Sequence, residues 1–367
     1  MISVDTFDRL VAAASRAPSA DNMQAWAFTL AGDAVEARLE PSRVLPTDVH
    51  QMFAWIGLGA AVENLVIAAA QEGFSAGVDY PPELAQQSGP SAATNLDAAV
   101  TVRLTPGGPG NPLAAWIEPR ETNRALFAKE PIVAAVLAEL SHATSDLTAG
   151  VHWVSGAASL DLMARMDARS TYLRLEHQPL HDELFDILRF SRREMEEERF
   201  GLEFEGIGVP YALVRLARLL RYPSVMKLVS RLGIGRAVAR QLAAKLRAAG
   251  AVCLVTARMP GPAGYVEAGR AMERLWLEAT ARGLAVQPHG VLPQYLTKLD
   301  DEPDGFTPRF ADVMRQHREP FARLFPCQPD ERPAIVLRVG RAASRPARHT
   351  VRLPLEQVIR LSEAAQQ

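Results

Sequence analysis

The 367-residue chain has only two cysteines, Cys253 and Cys327, which stand far apart and match no CxxC or metal-ligand spacing. Neither a disulfide framework nor a metal site is therefore expected. Cys253, within Ala251-Val252-Cys253-Leu254-Val255, reads as a buried strand thiol. An excess of one charge sign is missing too. A net charge of −2 and a pI near 6.5 leave no basic field for nucleic acid. The apolar stretch 57–70 is interrupted by Glu63 and Asn64 and is too short to span a bilayer. Asp5 and Asp8 stand where a signal peptide would need apolar residues, so a cytoplasmic protein is expected. Also missing are a GxSxG elbow, an HExxH pair and a GxxxxGK[ST] loop. His177 and His181 are separated by Pro179, which breaks the helix that would align them. Gly206-Ile207-Gly208 follows no strand and makes no dinucleotide fingerprint.

What remains is a chain with 48% hydrophobic residues, enough for a substantial core in one large or two ordinary domains. An apolar-periodic segment (Phe7, Leu10, Val11, Ala14) runs toward Pro18, which cannot continue a helix interior. Trp26, Phe28 and Leu30 alternate, Ala31-Gly32-Asp33 turns, and Val35, Ala37 and Leu39 alternate again, predicting a hairpin. A helix follows over about 53–73, with Leu58, Val62, Leu65 and Ala69 at helical spacing and Gly73 as its stop. A strand is expected over 98–104, and the Pro/Gly-rich residues 105–112 read as a linker. Beyond it the order partly repeats: a helix over about 131–143, strands at 151–154, 251–256 and 334–339, and a helix over 265–283.

The helices at 57–73 and 265–283 correspond residue for residue. Gly59-x-Ala61-x-Glu63-x-Leu65 matches Gly269-x-Ala271-x-Glu273-x-Leu275, and Gly73-Phe74 matches Gly283-Leu284 at the same interval. A divergent duplication, with a first half over 1–108 and a second over 109–367, is one reading, and chance similarity of two amphipathic helices is the other. The small-residue faces let the two helices approach closely. The second half carries a helical insertion at about 155–248. There an acidic block (Glu194, Glu196, Glu197, Glu198, Glu203, Glu205) precedes a basic amphipathic stretch from Arg215 to Arg247. Three readings suit it: a solvated helical cap, a face for a membrane surface or acidic partner, or a lid over a ligand site.

Two stretches carry polar groups where a ligand can be met. Ser19, Asn22 and Gln24 sit on a helix-to-strand connection. Arg120, Thr122 and Arg124 lie just past the linker, where planar guanidinium forks suit phosphate oxygens. Ion-paired arginines at a solvated helix start are the plainer alternative.

Ala17-Pro18-Ser19-x-x-Asn22-x-Gln24-x-Trp26 resembles the Ala-Pro-Ser-x-x-Asn-x-Gln-Pro-Trp motif of the nitroreductase-like flavoproteins, with Ala25 in place of the usual proline. Arg120-x-Thr122-x-Arg124-x-x-Phe127 is similar to that family's Arg-Ser-x-Arg-x-Phe element. Residues 283–290 (Gly-Leu-Ala-Val-Gln-Pro-His-Gly) look like the segment that lines the flavin ring. The arginine element normally precedes the Ala-Pro-Ser motif, whereas here it opens the second half. That order resembles the internally duplicated, lidded Acg-like subgroup, in which one chain mimics a dimer.

The resemblance implies an α+β fold and one FMN per chain. Arg120, Thr122 and Arg124 would hold the phosphate and ribityl chain; Pro18, Ser19 and Asn22 would approach from the first half. Pro288, His289 and Gly290 would lie along the ring, and Arg345 and Arg348 match a second phosphate-binding region. His289 is a candidate proton donor or simply a packing histidine. No catalytic side chain is expected, because flavin carries the redox chemistry. An NAD(P)H oxidoreductase acting on a small conjugated electrophile follows, and so does its rival, a flavin-sequestering protein with a closed lid. A monomeric pseudo-dimer is favoured over a homodimer.

Overall fold

The structure is a computed structural model that describes residues 2–85, 97–204, 214–231, 234–302, 305–342, 344 and 349–361. The first half runs α1 (Val4–Ala14), β1 (Trp26–Ala31), β2 (Ala34–Leu39), α2 (Met52–Gln71), β3 (Phe74–Asp79) and β4 (Val100–Pro106). The connection to the second half holds α3 (Ala114–Ile117) and leads to α4 (Ala134–His142). Strand β5 (Ala149–Val154) enters the insertion: α5 (Ala157–Glu176), α6 (Gln178–Ile187), β6 (Leu188–Arg189), α7 (Arg192–Glu198), β7 (Leu202–Glu203), α8 (Val214–Leu220), α9 (Pro223–Arg231) and α10 (Ile234–Arg247). The second half closes with β8 (Ala251–Ala257), α11 (Gly261–Ala281), β9 (Ala285–His289), α12 (Val291–Asp301), α13 (Pro308–Leu324) and β10 (Arg332–Gly340).

Two four-stranded antiparallel sheets have the same order, β1-β2-β4-β3 and β5-β8-β10-β9. Strand for strand, β5, β8, β9 and β10 repeat β1, β2, β3 and β4, with α11 repeating α2. The duplication read from the two helices therefore extends through both sheets, and the chain is α+β with a helical insertion. That insertion occupies the place of a tight turn. In the first half β1 and β2 join through Gly32, at φ +65°, and Asp33, with Trp26 opposite Leu39 and Phe28 opposite Ala37. Such a turn matches the twist of its strands. In the second half the same connection carries α5 to α10.

Helices α2 and α11 cross backbone to backbone. A Cβ built on Gly59 would lie 2.0 Å from the Val266 carbonyl oxygen, and one on Gly269 would lie 2.1 Å from that of Ile56. Gly59 and Gly269, Ile56 and Val266, and Glu63 and Glu273 all differ by the same 210 positions, so the contact is a local two-fold. Only a residue without a side chain permits this approach. Glu63 is held by Arg270 Nε at 3.0 Å and Arg274 Nε at 2.6 Å, both from α11. The core around the pair is continuous across the boundary at 108, joining Phe7, Trp26, Leu58 and Leu65 to Val255, Val266, Leu275 and Leu337.

Some elements differ from the sequence reading. β3 was not expected: its short Phe74-Ser75-Ala76-Gly77-Val78 run is weakly apolar, and it forms because β4 offers a pairing edge. Helix α2 spans nearly the residues expected, but its apolar stretch is longer than 57–70. Residues Val49–Gln71 are long and apolar enough to cross a bilayer, yet 89% of that window is buried in the protein, a core helix. His177 leaves α5 and caps α6, with Pro179 in its first turn, so it and His181 do not share a regular helix. Gly206-Ile207-Gly208 lies outside the described residues.

An arm leaves each sheet and crosses to the other. After β4 the chain brings Thr122 beside Val286 and Phe127 beside Ala342. After β10 it returns, and Phe28 N–H donates to Val358 O while Arg360 N–H donates to Phe28 O, each at 2.8 Å. These two arms place residues from distant parts of the sequence around one loop.

Candidate functional site

That loop is residues 17–26. Its backbone is left-handed at three non-glycine positions, Asp21 (φ +46°), Asn22 (φ +59°) and Gln24 (φ +50°). Such conformations persist only where surrounding bonds over-determine them, and here they do. The Gln24 N–H donates to Ser19 Oγ at 2.9 Å. The fully buried Gln24 side chain donates to the carbonyls of Arg199 (2.8 Å) and Asn22 (3.3 Å) and accepts from Leu353 N–H (2.8 Å). Asn22 donates to Val351 O at 3.2 Å and accepts from Arg352 Nη1 at 2.9 Å. Arg352 also donates to the carbonyls of Ser15, Arg16 and Ala17. Burial, with the Arg120 and Arg16 charges, lowers Arg352 to about 9. Asn22 and Gln24 thus spend their side chains fixing the loop. The Ser19 hydroxyl accepts one bond and keeps its hydrogen for another partner. Pro18 sets the approach to Ser19 and is half-buried.

The arm after β4 lies against this loop. Arg120 is enclosed: Nη2 donates to Arg16 O at 2.7 Å, and its guanidinium carbon sits 4.6 Å from the Trp276 ring. Its Nε is 3.0 Å from Glu273 Oε1, at ion-pair distance but without hydrogen-bond alignment. Burial pushes Glu273 up to about 7, against the pull of Arg120. Thr122 is half-buried and bridges to β9. Asn123, which sequence reasoning passed over, locks the arm: Nδ2 donates to Ser344 O (2.8 Å) and Oδ1 accepts from Ala125 N–H (3.0 Å).

Arg124 differs from Arg120. Among the described residues its half-buried guanidinium has no hydrogen-bond or ion-pair partner, and burial lowers its pKa while the Asp21 charge opposes that. Two more cations stand near enough to repel it. Arg338 is fully buried and lowered to about 10, by burial and then by Arg124; Lys245 is lowered by burial and then by Arg338 and Arg124. Arg338 donates to Gln287 Oε1 (2.7 Å) and to the carbonyls of Lys245, Asn123 and Ala125, with its guanidinium 3.9 Å from the Phe127 ring. An arginine inside the apolar run 334–339 was the signal that sequence reasoning could have used.

Pro288 and His289 end β9, opposite Leu337 and Val336, and Gly290 precedes α12. A Cβ on Gly290 would meet the Phe53 ring at 2.4 Å, so this glycine lets the start of α2 close on β9. His289 Nδ1 lies 3.1 Å from Asp167 Oδ2, while the buried Nε2 has no hydrogen-bond partner among the described residues. Asp167, on α5, was not singled out from sequence. Arg345 and Arg348 lie outside the described residues.

The insertion covers the loop. Besides the Gln24–Arg199 bond, Glu183 accepts from Thr47 N–H (2.8 Å) and Thr47 Oγ1 (2.7 Å). Arg174 reaches Asp21 at 3.2 Å. Between Ser19, Arg43, Phe53 and Gly57 a cavity of about 10 Å³ remains, near the minimum for one water. Asp48 borders it and caps α2 by accepting from Phe53 and Ala54 N–H at 3.0 Å each; burial pushes this carboxyl up to about 7, despite those bonds.

No family model matches the chain. Over 322 residues it is 24% identical to the uncharacterized protein MT1398 of Mycobacterium tuberculosis, covering 87% of this chain and 43% of that protein. The chain thus spans less than half the length of that relative. Among solved structures it is similar to the FMN-dependent nitroreductase NfnB of Mycobacterium smegmatis in complex with NADPH (16% identity, 68% of this chain and 96% of that one, TM-score 0.36). It is also similar to a nitroreductase with bound FMN from Desulfitobacterium hafniense (14% identity, 69% and 99% covered, TM-score 0.38).

Proposed function

We propose that this chain is a nitroreductase-like FMN-dependent NAD(P)H oxidoreductase acting on a small conjugated electrophile. The observation that carries the reading is Arg124: a half-buried arginine that, among the described residues, feels the Asp21 charge but makes no hydrogen bond or ion pair, beside Lys245 and Arg338 and next to the motif-bearing loop. One fully buried and two half-buried cations repel one another and lose hydration, so the arrangement gains from a bound anion. His289 Nε2, without a hydrogen-bond partner among the described residues, supplies a second fit, as a donor or acceptor toward a ligand ring.

Arg124 and Lys245 would bind the phosphate, with Thr122 at its side, and Arg338 would hold the arm that presents them. Ser19 would offer its free hydrogen from the opposite side. When bound, FMN supplies the redox chemistry. Asp167 orients His289, and the Glu183, Arg174 and Arg199 contacts keep water from the loop. Arg120 is assigned here to the structural pair with Glu273 rather than to the phosphate.

The same lid contacts favour a second reading, a flavin-holding protein without turnover. One experiment separates the outcomes. The purified chain should show a flavin absorbance spectrum with one FMN per chain, and stopped-flow mixing with NADH or NADPH should bleach it. A yellow protein that neither nucleotide bleaches is the holding protein; a colourless one that does not quench added FMN removes both readings.

A further inference from the structure

The edge of the second sheet farthest from the loop carries a cluster with different chemistry. His152 of β5, Cys327 and Glu331 bring one ligand atom each to within 4.8 Å of one another. β5 and β9 are opposite edges of that sheet, three strand spacings or roughly 14 Å apart. No part of the proposed flavin chemistry uses these residues.

The turn between α13 and β10 builds the cluster. Glu331 N–H donates to Gln328 O at 3.0 Å, and Gln328 N–H returns a bond to Glu331 Oε2 at 3.1 Å, which folds Cys327 back over the carboxylate. Gly150, two residues before His152 on the same face of β5, makes room: a Cβ there would lie 2.5 Å from Glu331 Oε1. Arg258 Nε holds Oε1 at 2.7 Å, and Oε2 faces His152 Nε2 at 2.7 Å. Glu331 is fully buried, whereas His152 and Cys327 are half-exposed and give a path from solvent.

We propose that His152, Cys327 and Glu331 form a binding site for a divalent transition cation of zinc's class, with a water in the fourth position. Imidazole nitrogen, thiolate and carboxylate are the donors that zinc accepts, and three protein ligands leave a tetrahedral site open at one corner. Ligand atoms around such an ion stand roughly 3.3–3.6 Å apart, given bonds of about 2.0–2.3 Å. His152 Nε2 and Glu331 Oε2 need to part by about 0.6 Å, the ion taking the place of the proton between them. Side-chain torsions at an edge strand and a surface turn allow that. A Cys-His-Glu nucleophile is the competing use of the same residues. His152 Nε2 faces Glu331 Oε2 at 2.7 Å, and among the described residues no hydrogen bond joins it to the Cys327 sulfur, so no base is set on that thiol.

The test is cobalt titration of the purified, chelator-treated full chain, followed by displacement with zinc. One Co²⁺ per chain should bind with a thiolate-to-cobalt charge-transfer band that zinc abolishes. Cys327→Ser should remove the band, and His152→Gln should weaken binding at least about tenfold. Cys253→Ala should leave the band unchanged, because that thiol is buried in β8. A missing band, or one that persists in folded Cys327→Ser as judged by circular dichroism, overturns the proposal.

Discussion

Gly59 and Gly269 are counterparts: each lies under the backbone of the other's helix, against Val266 and Ile56. An exposed Gly→Ala change in a helix gains about 1 kcal/mol. Here the added methyl meets backbone, which cannot rotate away, and overpacking of this kind costs about 1–3 kcal/mol. Gly59→Ala and Gly269→Ala should both lower the urea midpoint. A rise in either variant contradicts the close crossing.

The two arginines of the first arm should separate by phenotype. Arg120→Ala removes the partner of the buried Glu273 carboxyl and the bond to the Arg16 carbonyl, and should cost about 1–3 kcal/mol of stability. Arg124→Ala removes a half-buried charge that has no ion-pair partner among the described residues, so its unfolding midpoint should hold or rise. Its FMN affinity should fall by roughly 1.5–3 kcal/mol, about ten- to 150-fold. Fluorescence titration and urea unfolding of both variants check this, and a stable Arg120→Ala or a tight-binding Arg124→Ala contradicts it.

Two buried carboxyls should make stability fall as pH rises from about 4 to about 7, against the opposite slope of His317, which burial lowers from 6.5 to about 4. Asp48, ordinarily near 3.8, and Glu273, ordinarily near 4.5, are both raised to about 7, chiefly by burial. Between those values the folded chain holds protons that the unfolded chain has released, so raising the pH favours unfolding. Asp48→Asn keeps one cap acceptor for the start of α2 and removes that residue's share of the slope. Urea midpoints at pH 5 and pH 8 should therefore lie closer together in the variant than in the parent.

Glu183 closes α6 onto the first half through Thr47. Glu183→Ala leaves the Thr47 amide without its charged acceptor, and its hydrogen exchange should quicken about tenfold or more. Unchanged exchange at Thr47 implies that the other lid contacts suffice.

Much of the fold was legible because its signals are local. The hairpin could be read from alternation around Gly32, and the paired helices from matching glycines, glutamates and leucines. β3 escaped because its sequence is weakly apolar and its partner strand lies more than twenty residues on. The site was half legible. The loop and the arginine arm were both recognised, but not that Asn22 and Gln24 face inward, nor that Arg120 and Arg124 differ.

The sequence by itself determined the repeat, its element types and the two stretches that meet, since periodicity, turn chemistry and residue spacing are properties of neighbours in the chain. Only the tertiary structure decided which arginine meets a buried carboxyl and which has no ion-pair partner among the described residues. Glu273 reaches Arg120 because two helices cross at glycines separated by 210 positions. It also decided that Cys327, unremarkable by spacing, stands beside His152 and Glu331, because a sheet edge and a returning turn close that distance. Ligand sets and ion pairs depend on distance in space, and the crossing arms of this fold make that distance independent of separation along the chain.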